Sequence, residues 1–352
     1  MSGCCPNLSC VLSANIHLII RKTKPMIHHD PISPKRPTAS PKRPTAPVSV
    51  ITTCYGRNTH LYNLLAALAN SSTLPAEVII VNDDADPERL LSEYALNIVQ
   101  IPTTNDGNDK QARFDIGHNR NIGATHASHD ALIFLDVDCL VAVDSIAGLY
   151  SKLMAHPEAL LMGQPKYLTR PLSAAESTEL AADMLNDAAL DTLSVYNPYR
   201  PNFAPTDSLA PAAIAQTEDF GTFWSLCFTI TRQQFEALGG FDTAYVGYGA
   251  EDTDFAFRAR ACGMPFYLTA EIVYHQQHGV YRPPLNHLDS IVINANRFYD
   301  QWQHWAMAGW LGEFAALGLI DWQAAQTAPI TLLRAPTEQE LEESHCPDAP
   351  FV

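Results

Sequence analysis

The sequence predicts an α/β fold, with a mostly parallel central sheet and helices on both faces. Short apolar runs rich in β-branched residues alternate with longer stretches of helical periodicity. Those runs are nearly continuous rather than alternating, as strands buried on both faces are. Several of them end abruptly on acids. At 352 residues, with 47% hydrophobic and 17% charged residues, the chain is long enough to bury a full core.

The first 47 residues stand apart. "CVLSANIHLII" (10–20) is shorter than the ~18 residues of a membrane span. A weak basic stretch, "RKTK", follows it, but no basic region precedes it and no small-residue cleavage site follows, so it is not read as a signal peptide. It reads as a disordered leader, in preference to an interfacial or partner-binding segment. "PISPKRPTASPKRPTAPVS" repeats PKRPTA with prolines too dense for helix or sheet, so it reads as an extended basic linker.

Order is expected from Val48 to about residue 325. "VSVITTCY" is a strand and "NTHLYNLLAALANS" a helix. "AEVIIVND" is a buried strand ending on Asp83, and "LNIVQI" is a further strand. "GHNRNIGATHASH" is a helix leading into "ALIFLDVD", a strand that ends on Asp136 and Asp138. Residues 165–220 change character: "AAESTELAADMLNDAALDTL" reads as one helix before a proline-rich loop, an insertion beside the site on its acceptor side. "FWSLCFTITRQQFEALGGFD" gives strand, helix and glycine stop, and "EDTDFAFRARACG" gives another helix. "EIVYHQQHG" ends a strand on imidazoles. Tryptophans 302, 305 and 310 suit a buried helix face at least as well as a sugar platform, and 326–352 reads as a loose acidic tail.

In open parallel sheets ligands bind beyond the carboxyl ends of the strands, where these acids lie. A net charge of −16 argues against a nucleic-acid or anionic-membrane partner, since both want a basic surface. The eight cysteines form no CxxC pair, a reduced, cytoplasmic pattern without a disulfide frame or zinc site. Asp136 and Asp138 fall on one face if the strand continues through them, where a hard cation, Mn²⁺ or Mg²⁺, would relieve their repulsion; a solvated turn explains the same triplet. His275 beside Asp138 would make a mixed N/O set suited to Mn²⁺. Arg57 opens the helix after the first strand, where it reaches a phosphate or stays solvated.

"GYGAEDTDF" (247–255) pairs a two-glycine turn with three carboxylates in four positions. A helix N-terminus stabilises Glu251 and Asp252 without any further role, and Asp254 with Arg258 reads as a surface i,i+4 pair.

These motifs together resemble a glycosyltransferase with the GT-A fold, over residues 48–280: family 2 most broadly, and the β-1,4-galactosyltransferase family in the carboxyl half. The resemblance implies that Arg57, Asp83, Asn121, Asp136 and Tyr248 belong to the donor-binding site, Asn121 in the helix that packs under the donor. It makes Asp138 and His275 the metal ligands, Glu251 the acceptor holder and Asp252 the base. It implies a UDP-sugar donor, Mn²⁺ or Mg²⁺, a carbohydrate or glycolipid acceptor, and direct inverting transfer of a hexose or N-acetylhexosamine, galactose first, in a cytoplasmic enzyme without an integral span. Asp219 stands where galactosyltransferases carry a donor-selecting tyrosine, which opens N-acetylgalactosamine and other sugars, and Tyr55 replaces a second basic residue of the first loop. The competing readings are a sugar-phosphate nucleotidyltransferase, for which "TTCYGRN" is a poor glycine-rich loop, and a non-catalytic sugar- or partner-binding protein of the same fold.

Overall fold

The computed structural model describes residues 43–82, 94–103, 115–198 and 214–349. The expected leader, most of the linker, Asp83 and the proline-rich loop after 198 lie outside the described residues. The elements run β1 (Thr45–Cys54), α1 (Asn58–Asn70), β2 (Leu74–Asn82), β3 (Ile98–Pro102), α2 (Ile116–His126), β4 (Ala131–Leu135), β5 (Cys139–Val141) and α3 (Ser145–Ala155). β6 (Leu160–Leu168), α4 (Ala174–Ala181), α5 (Asp187–Thr192), β7 (Ser194–Val195), β8 (Ile214–Gln216), β9 (Cys227–Thr231), α6 (Arg232–Ala237) and α7 (Glu251–Ala261) follow. The chain continues through β10 (Phe266–His275), β11 (Val280–Tyr281), α8 (Leu288–Trp302), α9 (Ala308–Ala316), β12 (Ile320–Asp321), β13 (Thr331–Leu332), α10 (Glu338–Ser344) and β14 (His345–Cys346).

The main sheet has the order β3-β2-β1-β4-β9-β6-β10-β5. β3, β2, β1 and β4 are mutually parallel. β9 runs against both β4 and β6, which brings β6 and its parallel neighbour β10 back to the direction of β4. The carboxyl ends of β1, β4 and β10 therefore share one rim, and the site is built there.

Period-two alternation divides the strand residues between two cores. Val48, Val50, Val78, Ile80 and Ile133 face the side covered by Leu61, Leu64 and Leu65 of α1 and Ile146, Leu149 and Leu153 of α3. Ile51, Ile79, Val81, Leu132 and Phe134 face the other side, with α2, Phe235 of α6 and Phe255 of α7. α2 lies so close to β1 that a Cβ on Gly123 would come 2.4 Å from Ile51 Cγ2. α8 and α9 enclose a third cluster, centred on Ile291, Leu311 and Phe314. No helix among the described residues is long and apolar enough to cross a membrane.

Three expectations are corrected here. The stretch 174–193 is two helices: Asp183 takes a left-handed φ of 59°, and the Asn186 side chain accepts from Ala189 N to cap α5. The region expected to be inserted from 165 begins inside β6, a strand of the main sheet. Residues 326–349 are no loose tail: β13 pairs with β12, β14 pairs with β11, and a Thr337–Glu340 capping box starts α10.

Candidate active site

β4 stops at Leu135, so Asp136 and Asp138 sit in the turn after it, closed by Cys139 N donating to Asp136 O at 2.9 Å. They do not share a strand face, and each has its own guanidinium. Arg120 of α2, buried to 3% exposure, donates to Asp136 Oδ1 at 2.6 Å and lies over the Phe241 ring. Arg57, at the start of α1, donates to Asp138 Oδ2 at 2.5 Å and keeps a partly exposed side chain. The repulsion expected between the two acids is answered by arginines before any metal is considered.

Asp138 also faces two imidazoles. His275 Nε2 lies 3.5 Å from its Oδ1 and His278 Nε2 lies 3.4 Å from its Oδ2. One ligand atom from each of the three residues falls within 4.8 Å of the others. Asp138 Oδ1 is buried and accepts no hydrogen bond among the described residues. Burial alone would raise the Asp138 carboxyl, but His275, the His278 hydrogen bond and Arg57 together hold it far below the usual carboxylate range. Burial lowers His275 to about 4, so its imidazole is neutral, the form that binds metals. A carboxylate, two imidazoles and an oxygen that accepts no hydrogen bond among the described residues fit a divalent cation of Mn²⁺ character. Sequence reasoning noted both imidazoles of "HQQH" but took only His275 as a ligand; the structure brings His278 to the same carboxylate.

The opposite wall is the start of α7. Gly247 (φ 79°) and Gly249 (φ 99°) turn the chain into it, and a Cβ on either would press within 2.8 Å of Ser290 or 2.5 Å of Met307 Sδ. Asn294 of α8, 1% exposed, holds this loop: its amide nitrogen donates to Val246 O, Tyr248 O and Gly249 O, and its Oδ1 accepts from Val246 N. Tyr248 stacks on His287 at 4.5 Å and tilts toward Trp310 at 5.9 Å. Burial, then the negative fields of Glu251 and Asp252, raise its phenol above the ordinary tyrosine value.

Asp252 accepts from Thr253 N at 2.7 Å and Thr253 Oγ1 at 3.3 Å. Burial raises its pKa, while Arg120, these donors and the Ser225 amide pull the other way. Glu251 has a buried Oε2 with no hydrogen bond among the described residues, and burial plus the Asp252 charge push it up to about 8. Asp136 is likewise raised by burial, and it feels both Asp138 and Asp252, which ties the two walls into one electrostatic unit.

A pH dependence follows. Folded Glu251 holds its proton more tightly than the unfolded chain, whose ordinary value is 4.5. Unfolding therefore releases a proton between pH 4.5 and about 8, and the stability of the ligand-free protein falls as pH rises through that window. Urea midpoints at pH 5 and 8 should differ less in Glu251→Gln than in the wild type. Equal differences in the two proteins would refute the assignment.

Of the other expected site residues, Asn121 faces elsewhere. Its amide donates to Phe241 O and accepts from Phe241 N, both at 2.8 Å, so it ties α2 to the loop before α7. Both polar ends being engaged there, its place is under the site rather than against a nucleotide. Asp254 is not on the surface but fully buried, bonded to Arg258 and Trp302. Arg120 was missed because an arginine inside "GHNRNIG" looks solvated; its burial depends on Asp136 and Phe241, both remote in sequence.

Residues 67–286 match the family described as Glycosyltransferase like family 2. Among curated proteins, the validoxylamine A glucosyltransferase of Streptomyces hygroscopicus subsp. limoneus is 25% identical over 306 residues, covering 78% of this chain and 61% of that protein. The chondroitin synthase of Pasteurella multocida (strain Pm70) is 24% identical over 253 residues, 65% of this chain and 25% of that protein. The chain thus spans less than two thirds of either relative. A solved structure of S. aureus TarS residues 1–349 is similar over 72% of both chains, at 14% identity and a TM-score of 0.42.

Proposed function

Because the chain belongs to the glycosyltransferase like family 2, we propose that this transferase moves a hexose or N-acetylhexosamine from a UDP-sugar to a hydroxyl of a glycan or glycolipid acceptor, with inversion and a divalent cation. The observation that carries this reading is the meeting on one rim of the Asp138, His275 and His278 donor set with the half-buried carboxylates Asp136, Glu251 and Asp252. A sugar-binding protein has no need of an acid pair opposite a metal-type donor set.

Asp138, His275 and His278 would hold the cation, which when bound offsets the charge that builds on the diphosphate leaving group. Arg57 is partly exposed and reaches Asp138, so its guanidinium can turn to a phosphate oxygen beside that site. Burial raises both carboxylates at the start of α7, and their hydrogen-bond donors tell them apart. Asp252 receives several donors that favour its ionised form. Glu251, with an oxygen lacking any donor among the described residues, keeps its proton to about pH 8. Asp252 is then the base that takes the acceptor hydroxyl proton as that oxygen attacks the anomeric carbon, and Glu251 the group that orients the acceptor by donating a hydrogen bond. Tyr248, backed by His287 and Trp310, supplies an aromatic wall on the acceptor side. Both the β-1,4-galactosyltransferase likeness and galactose as the donor sugar remain part of this proposal.

Calorimetry of UDP binding, with and without Mn²⁺, tests the donor half. Wild type should bind UDP in a Mn²⁺-dependent way, and Asp138→Asn should weaken that binding by at least tenfold. UDP binding indifferent to both metal and Asp138 would end this reading.

A further inference from the structure

The loop that leaves β10 with His275 and His278 is fastened from two directions. On the side of α1, Gln276 N donates to Asp138 O at 2.6 Å, its Oε1 accepts from Asn63 Nδ2 at 2.8 Å, and its Nε2 donates to His60 O at 3.1 Å. On the other side the carboxyl-terminal segment crosses the loop. Gln277, 2% exposed, donates through one side-chain nitrogen to Pro347 O and Ala349 O, each at 2.9 Å. Just beyond it β11 pairs antiparallel with β14, and Arg282 N donates to Ser344 O at 2.8 Å. The Tyr281 and His345 rings stack at 4.8 Å. The fit is close: a Cβ on Gly279 would stand 3.2 Å from His345 Nε2 and 3.3 Å from Pro347 Cα.

We propose that Gln277 is a positioning residue for the metal centre, through which the docked segment 337–349 sets the place of His278. This rests on reading Asp138, His275 and His278 as the cation site. His278 lies between Gln277, whose side chain is bonded to the strap, and Val280, which pairs with Cys346 of the strap, so the chain is held on both sides of it. Its ring meets Asp138 at 3.4 Å only while that backbone is fixed. A ligand on a loop held in advance binds without the entropy cost of ordering that loop. The strap and the loop also depend on one another, since undocking leaves the buried Gln277 amide without acceptors. Supporting groups one step behind metal ligands commonly change metal affinity by about 10–100-fold. Cation affinity in this protein is thus tied to whether its carboxyl-terminal segment is seated.

The test measures the Mn²⁺ concentration that half-saturates UDP binding in full-length wild type, Gln277→Ala and Gly279→Val, with the thermal midpoint of each recorded beside it. Gln277→Ala removes both strap bonds. Gly279→Val pushes the strap away without touching Gln277, and carries the test if Gln277→Ala does not fold. The expected result is a rise of about 10–100-fold in that concentration for either variant. A merely structural role would lower the thermal midpoint and leave the Mn²⁺ requirement of the folded protein unchanged. That outcome, with wild type still Mn²⁺-dependent, overturns the inference and leaves the metal reading intact. A wild type that binds UDP without Mn²⁺ overturns both.

Discussion

Asp252→Asn is expected to slow sugar transfer by about 10²–10⁴-fold, the usual contribution of a positioned general base, while Mn²⁺-dependent UDP binding stays within about twofold. The substitution is nearly isosteric, and the asparagine oxygen can still accept from Thr253 N and Thr253 Oγ1, so the start of α7 keeps its geometry. What is lost is the lone pair that receives the acceptor proton. Glu251→Gln should behave differently. A glutamine still donates a hydrogen bond, so the main effect falls on acceptor KM, and kcat drops less than in Asp252→Asn. The pair of variants, assayed by release of UDP with and without acceptor, separates base from holder. If Asp252→Asn keeps more than a tenth of the rate while Glu251→Gln loses it, the two roles are reversed. If both keep it, the proton goes elsewhere and the inverting scheme fails at its central step.

Much of the fold was legible because its signals are local. β1, β2 and β4 carry near-continuous apolar runs, and a parallel sheet covered on both faces asks for that pattern. The rim followed from strand direction, and with it Asp136, Asp138 and His275. β6 was overlooked because Pro165 interrupts it, and proline argues against an inner strand. On one edge β9 pairs with β6 at Leu161 and Met162 and β7 at Tyr167 and Leu168, so Pro165 falls between those partners, while on the other edge it stands opposite Val273 of β10. The carboxyl-terminal strap carried a readable capping box, T-x-x-E at 337–340, but its acidic composition hid it. The remaining misses are of another kind. Arg120, Asn294 and Gln277 are polar residues whose burial is made by partners on distant elements, and no periodicity within their own segments announces it. His278 was within reach, three residues after a ligand already named.

Asp254→Ala is expected to cost about 3–5 kcal/mol of folding stability, the range for removing one member of a buried ion pair, and this separates it from its neighbour two residues earlier. Asp254 is fully buried, with Oδ2 2.8 Å from Arg258 Nε and Oδ1 accepting from Trp302 Nε1 at 2.9 Å. Arg258 in turn donates to Leu238 O and Gly240 O at 2.6 and 2.7 Å. One carboxylate thus joins α7 to α8 and to the turn after α6, the frame on which the wall of Glu251 and Asp252 stands. Deleting it leaves a guanidinium largely out of water without its counter-charge, and an indole N–H without its acceptor. Urea unfolding of Asp254→Ala should show the loss as a lower midpoint at an unchanged slope, whereas Asp252→Asn should unfold at nearly the wild-type midpoint. Adding Arg258→Met should recover part of the loss, because the stranded charge goes with it. A loss under about 1 kcal/mol would mean that the pair is solvated and exchangeable, as an exposed i,i+4 pair is. Within the four residues Glu251 to Asp254, then, the proposed chemistry and the support for it fall on different carboxylates, and burial with named partners, rather than charge, sets Asp254 apart.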